Sequence, residues 1–235
     1  MRRFESYGQG IPGLELGDLS GWLIVVEGPD GVGRTTHVDR LRKHLEQLGY
    51  AVAETGFTRS DLASRGIRRA KQGNTLGTNA FNLFYATDFA DRLEQQIVPA
   101  LRAGFVMITD RYIYSLIARA IVRGADPDWI KQVYSFALLP DAVFYLRIDA
   151  QPLVHRVLAD GPFDYWESGM DIPMGGDLYD SFVTYQGSII RELDGLAREY
   201  GFHTLDATRD VDDISDELCA SVSRLLLKKT SGATA

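Results

Sequence analysis

Residues Trp22–Glu27 form an apolar run, Trp-Leu-Ile-Val-Val, closed by Glu27 and followed at once by Gly28-Pro-Asp-Gly-Val-Gly33-Arg34-Thr35. A strand without polar alternation must be covered on both faces, as strands of helix-flanked parallel sheets are. The glycines allow a tight turn, after which Val38, Leu41, Leu45 and Leu48 recur at helical spacing until Gly49 ends them. Buried strand, glycine-rich turn and amphipathic helix in immediate succession predict a βα unit of a parallel sheet covered on both faces.

The rest of the chain repeats that alternation. Strands are expected at Tyr50–Thr55, Phe105–Thr109, Ala142–Ile148 and Phe202–Leu205. Helices are expected at Thr36–Leu48, Leu62–Gln72, Thr78–Ala103 with a break near Pro99, Tyr114–Arg123, Pro127–Leu138, Leu178–Tyr200 and Val211–Lys228. With no hairpin signal, the expectation is one α/β domain over residues 21–228: a P-loop NTPase-type three-layer sandwich with a central five-stranded parallel sheet and helices on both faces. Residues 1–20, with Gly8, Gly10, Pro12, Gly13 and Gly17, read as an irregular extension outside the core, and residues 229–235 as a frayed tail.

Composition excludes several classes. Cys219 is the only cysteine, so neither an internal disulfide nor a cysteine-rich zinc site is possible, and His37, His44, His155 and His203 show no zinc spacing. Met1-Arg2-Arg3 leads into a polar, glycine-rich stretch that does not resemble a signal peptide, and the longest apolar runs are strand-sized. A cytoplasmic protein without a membrane partner is the expectation. The net charge of −7 argues against a nucleic-acid coat, yet leaves room for an anionic ligand at a local cluster of cations.

The turn after the first strand has the spacing G-x-x-x-x-G-K-[ST], with Arg34 in the lysine position. Its inward N–H groups and the helix N-terminus would cradle phosphate, and the Thr35 hydroxyl is placed to help hold Mg²⁺ beside a nucleoside triphosphate. Gly28, Asp30, Gly31, Val32, Gly33, Arg34, Thr35 and Thr36 are thus the candidate phosphate-binding residues. The alternative is a turn kept for packing alone. Arginine is longer, planar and forked where lysine is a point charge. Arg34 either neutralises the phosphates from an altered position or marks a site that binds nucleotide and turns over poorly.

A second signature, Asp110-Arg111-Tyr112, ends a buried strand, where open parallel sheets bind ligands, and continues Ile-Tyr-Ser115-Leu-Ile-Ala118. Glu27–Thr36, Asp110–Ala118 and the helix Phe84–Leu101 together resemble the thymidylate kinase family, over most of residues 21–220. The resemblance implies transfer of the γ-phosphoryl group of ATP to the 5′-phosphate of a deoxynucleoside monophosphate, most readily dTMP. The acceptor is already anionic, so positioning and charge neutralisation suffice without a general base. By family position, Asp30 would bind the sugar hydroxyl or nearby water and metal, and Arg111 would clamp the acceptor phosphate. Asp110 would support Mg²⁺ through water, Tyr85 would stack on the base, and Arg68 would be a second phosphate ligand. Ser115 belongs to the same substrate-side motif. A homodimer is implied as well, and the apolar helix Thr78–Ala103 could supply its interface. The bland readings are a structural ion pair for Asp110–Arg111, a core aromatic for Tyr85, and a solvated helix face for Arg65, Arg68, Arg69 and Lys71.

The chain also departs from that pattern. The acceptor-site arginine after the second strand is Gly56, with Arg59 nearby as a substitute. The arginine after Asp88 is Phe89, and Arg92 lies one turn on, either replacing the cation or only pairing with Asp88. Leu116 stands in the family's base-reading position and Arg119 in that of the sugar-selecting tyrosine. The lid, about residues 157–177, belongs to a stretch between Arg156 and Arg191 that lacks Lys and Arg but carries Asp160, Asp164, Glu167, Asp171, Asp177 and Asp180. Arg156 is the nearest cation to meet the transferring phosphate. Three readings follow: a dTMP kinase, a nucleotide-binding regulatory module, or a kinase of another or modified nucleoside monophosphate.

Overall fold

Strand β1 (Trp22–Glu27) lies in the middle of a parallel sheet. Its side chains explain the unbroken apolar run: Leu23 and Val25 enter one core cluster, Ile24 and Val26 the other, and all four are fully buried. Burying each aliphatic side chain favours folding by about 1.5–3 kcal/mol, so both faces of β1 contribute. The computed structural model describes residues 4–57, 60, 62–73, 76–172 and 174–230.

In chain order, α1 (Arg34–Gln47) leads to β2 (Val52–Gly56), then α2 (Ser64–Gly73) and α3 (Thr78–Arg92). A π-helical segment, Leu93–Ile97, joins α3 to α4 (Val98–Arg102). Next come β3 (Val106–Asp110), α5 (Ile113–Val122), α6 (Pro127–Val133), β4 (Ala142–Arg147) and α7 (Ala150–Asp160). The chain continues with α8 (Leu178–Tyr200), β5 (His203–Asp206) and α9 (Val211–Thr230). The five strands run in the order β2-β3-β1-β4-β5, all parallel, as the alternation predicts. Register places Val26 opposite Asp110, which sets the loop after β1 beside the end of β3.

Four differences from the sequence expectation have local causes. The break near Pro99 is a π segment within one continuous helical rod: Pro99 offers no N–H to the turn before it, and the wider i→i+5 pattern takes up the slack. Helix α6 stops at Val133, short of Leu138, because the chain turns to meet the N-terminal segment: Tyr7 N donates to Ala137 O at 3.0 Å and Leu139 N to Glu5 O at 2.8 Å. The N-terminal segment accordingly does not lie outside the core, since Phe4 and Leu19 are buried in the same cluster as Leu23. Helix α7 has no counterpart in the expectation, although buried Leu153 and Val154 followed by Val157 carry a helical spacing. Helix α9 runs to Thr230, and the remainder of the expected frayed tail lies outside the described residues.

Candidate active site

The loop between β1 and α1 is held open by its glycines. Gly33 caps α1 with φ 94°. Gly31 has φ 76°, and a Cβ there would sit 2.3 Å from the Val157 side chain of α7, so no side chain fits without displacing it. Arg34 is 9% exposed and lies along the loop. Its Nε donates to Asp110 Oδ1 at 2.7 Å and its Nη1 to Gly28 O at 2.8 Å, with a further bond to Pro29 O. Thr35 Oγ1 donates to Asp110 Oδ2 at 3.3 Å. Burial pushes the Asp110 carboxyl up, but Arg34 and Arg111 outweigh it and hold it below the usual carboxylate range. An ionised carboxylate beside a threonine hydroxyl is a hard oxygen pair suited to Mg²⁺, which takes few protein ligands and completes its shell with phosphate and water.

Next to the loop stands a cluster of buried charge. Asp30 accepts from Nη2 of Arg111 and from Nη2 of Arg119, and Gln186 Nε2 reaches it at 3.3 Å. Arg111 adopts φ 71°, the only non-glycine with positive φ among the described residues, and its N–H donates to Val26 O at 2.9 Å. Such backbone costs of order 1–3 kcal/mol and is held here by the strand end. Glu27 organises the other side: it is fully buried and accepts from Tyr112 N at 2.8 Å, Ser115 N at 3.3 Å and Ser115 Oγ. This carboxylate caps the first turn of α5, a favourable place for negative charge. The Ser115 hydroxyl is thereby turned to Glu27, away from the substrate role expected of it.

Burial alone would raise the Asp30 carboxyl, yet Arg111, Arg119 and Arg34 bring it far below the usual range. A depressed folded value means that Asp30 contributes stability that is complete above the ordinary carboxylate pKa, about 4, and is lost as pH falls below it. Urea midpoints taken at pH 6 and pH 3 should fall more steeply for the wild type than for Asp30→Asn. At pH 6 the variant should already be weaker by about 3–5 kcal/mol, because two buried guanidiniums lose their partner.

Two cavities flank the loop. An open one of about 310 Å³ is lined by Gly31, Val32, Gly33, Thr36, His37, Arg156, Ala159, Arg209, Val211 and Ile214. Arg156 lies in its wall, where Nη2 donates to Ala207 O and Nη1 to Val32 O at 3.5 Å, so its fork meets backbone carbonyls. The other is an aromatic slot of about 20 Å³, lined by Lys71, Phe81, Asn82, Tyr85, Leu116, Arg119, Arg123, Tyr134 and Trp166. Tyr85 forms part of its wall, edge-on to Phe81 at 5.1 Å. Arg68 is exposed on α2 and does not line the slot. Ser64, Ile67 and Ala70 form the inward face of α2, which carries Lys71 to within 5.7 Å of the Trp166 ring. Lys71, given the bland reading in sequence, therefore reaches the slot that Arg68 misses. Arg92 is fully buried and pairs with Asp88 at 2.9 Å, while its Nη1 and Nη2 find no hydrogen-bond partner among the described residues. Phe57 lies between Arg92, at 6.0 Å, and Arg111, at 5.4 Å. Arg59 lies outside the described residues.

The acidic lid is tied to the body by its own carboxylates. Asp171 takes Nε and Nη2 of Arg123 at 2.8 and 3.0 Å, and the same guanidinium donates to Trp166 O at 3.2 Å and to the Tyr185 hydroxyl. Asp164 accepts from Trp166 N at 2.9 Å and Glu167 N at 3.1 Å, and Asp177 caps α8 through Asp180 N at 2.8 Å. Burial, and then the neighbouring Asp30, raise the Glu167 carboxyl. Trp166 closes the slot by stacking on Phe81 at 5.4 Å and 25°. Arg123→Ala should release this segment: KM for the acceptor is expected to rise about tenfold, and protease nicking between residues 161 and 176 to speed up. Limited proteolysis with intact-mass readout checks it.

Arg119, Arg123, Asn82, Gln186 and Glu27 were missed as candidate site residues. Arg119 carried a signal: it lies four residues after Ser115 on one helix face, where the family has an uncharged ring. Arg123 follows at the same interval.

A glycine cradle at the end of a central parallel strand, flanked by two cavities and a lid, defines the P-loop class of phosphate-transferring proteins. Residues 26–169 match the family model "Thymidylate kinase". "Probable thymidylate kinase 2" of Saccharolobus solfataricus is 36% identical over 202 residues, covering 85% of this chain and 94% of the relative. "Probable thymidylate kinase" of Pyrococcus horikoshii is 30% identical, with 89% of this chain and 99% of the relative covered. "Thymidylate kinase" of Halothermothrix orenii is also 30% identical, with 89% and 100% covered. The chain belongs to the thymidylate kinase family.

Proposed function

We infer that this protein transfers the γ-phosphoryl group of ATP to the 5′-phosphate of dTMP, giving ADP and dTDP, a precursor of DNA. The observation that carries this reading is the placement of Arg111. It stands at the end of β3, tied to Asp30 of the phosphate loop on one side and lying over Phe57, beside the aromatic slot, on the other. A cation so held stands between the phosphate loop and the aromatic side chains next to the slot. The donor enters the open cavity with its phosphates in the glycine loop, and the acceptor enters the slot with its phosphate toward Arg111.

Catalysis then rests on positioning and charge. The N–H groups at the start of α1 and the Arg34 guanidinium offset the donor phosphates. Asp30 does not take the proton of an acceptor that is already ionised; it sets the orientation of Arg111 and Arg119. Thr35 and Asp110 would hold Mg²⁺, which would supply positive charge against the donor phosphates. Closure of Trp166 over the slot keeps water from competing with the acceptor. The slot as it stands has room for little more than one water, so Trp166 must part from Phe81 before a base can enter. Among the described residues no helix is long and apolar enough to cross a membrane. Mg²⁺ dependence, a homodimer and a cytoplasmic location without nucleic-acid partners complete the proposal. An ADP-release assay across the nucleoside monophosphates tests it. Turnover is expected with dTMP and Mg²⁺; measurable ATP binding without turnover on any acceptor would overturn it.

A further inference from the structure

Asn82 projects from α3 into the aromatic slot, one turn before Tyr85, and is 6% exposed. Its Nδ2 is buried without a hydrogen-bond partner among the described residues. An amide donor sealed from water and left unpaired is costly, and native structures rarely keep one without a use. The walls around it say what the use is. Phe81, Tyr85 and Trp166 supply aromatic faces between which a flat ring stacks once Trp166 parts from Phe81. Its charged members, Lys71, Arg119 and Arg123, are all donors, and none of its described lining residues is acidic.

We propose that Asn82 is the base-reading residue of this chain, its Nδ2 donating to a ring carbonyl of a 2,4-dioxopyrimidine. This rests on the kinase reading above and adds the means of base choice. A slot furnished with donors favours a ring edge carrying two carbonyl oxygens over one carrying an amino group, which would meet donors with a donor. Leu116, which also lines the slot, has no polar group to share the task. Asn82 reads the carbonyl and not the methyl, so it separates dTMP and dUMP from dCMP and leaves dTMP and dUMP unseparated.

The test is calorimetric binding and steady-state kinetics of dTMP, dUMP and dCMP with the wild type, Asn82→Ala and Asn82→Asp. Asn82→Ala should weaken dTMP and dUMP alike, by on the order of tenfold in Kd and KM, with kcat and the KM for ATP little changed. Asn82→Asp removes the donor and adds an acceptor, so it should move the dTMP-to-dCMP ratio further in favour of dCMP. An unchanged ratio in both variants, with ATP affinity and Tm retained, would overturn the assignment. A variant that unfolds is replaced by its partner in the comparison. If the wild type phosphorylates none of the three, the kinase reading falls by itself, and the binding ratios still decide the role of Asn82.

Discussion

Arg111→Ala should lower kcat/KM for dTMP by about 10²–10³-fold, the loss typical of one preorganised charge at a transferring group. The size follows from how this guanidinium is held. Its backbone occupies the left-handed region, its N–H is tied to Val26 O, and its Nη2 is fixed on Asp30. It has few other ways to point. Its Nε is buried without a partner among the described residues, which leaves a donor to be satisfied when the site fills. Arg111→Lys keeps the charge but loses the planar fork, so most of the loss should remain. Steady-state kinetics with dTMP varied at saturating ATP give the number, while ATP affinity should change little. A loss below fivefold would place the acceptor phosphate elsewhere, with Arg119 or Arg92 as its partner.

Arg34→Ala is the second large effect, expected at about 10²-fold or more in kcat together with a raised KM for ATP. Arg34 does what a lysine in its place could not: one side chain bridges Asp110 and the Gly28 carbonyl, tying the ends of β3 and β1 across the loop. Removing it leaves Asp110 beside the phosphates with only Arg111 and Thr35 to offset it. Arg34→Lys should recover part of the charge and little of the bridge, and is expected to remain several-fold below wild type. Faster turnover of Arg34→Lys than of wild type would show that arginine limits the reaction and would favour the reading of a slow nucleotide binder. ATP-dependent kinetics of the three proteins, side by side, settle the order.

The parts legible in sequence were those with local causes. An apolar run must be covered twice, and Leu23 to Val26 divide between two cores as that run requires. Helix α8 ends where Gly201 turns left-handed, and the sequence marks that end. The phosphate loop was equally plain, because its glycines answer to backbone geometry rather than to distant neighbours. What escaped sequence reasoning depended on partners far along the chain. Ser115 reads as a substrate ligand until Glu27, a neighbour only in space, takes its hydroxyl. Nothing near Arg156 in sequence announces that its guanidinium meets the Ala207 and Val32 carbonyls. The acidic lid showed no cation of its own because its partner, Arg123, comes from the C-terminal end of α5, outside the lid. Once Asp171 is paired and Asp164 and Asp177 are used as caps, three of the lid's carboxylates are spent on holding the lid itself.

The central claim is a transfer between two cavities across one loop. ATP labelled at the γ-phosphate, incubated with dTMP, Mg²⁺ and the full chain, tests it most directly by product separation. The account predicts the label in the β-phosphate of dTDP, in equal amount to the ADP formed. Label released as free phosphate, with dTMP unchanged, would contradict it.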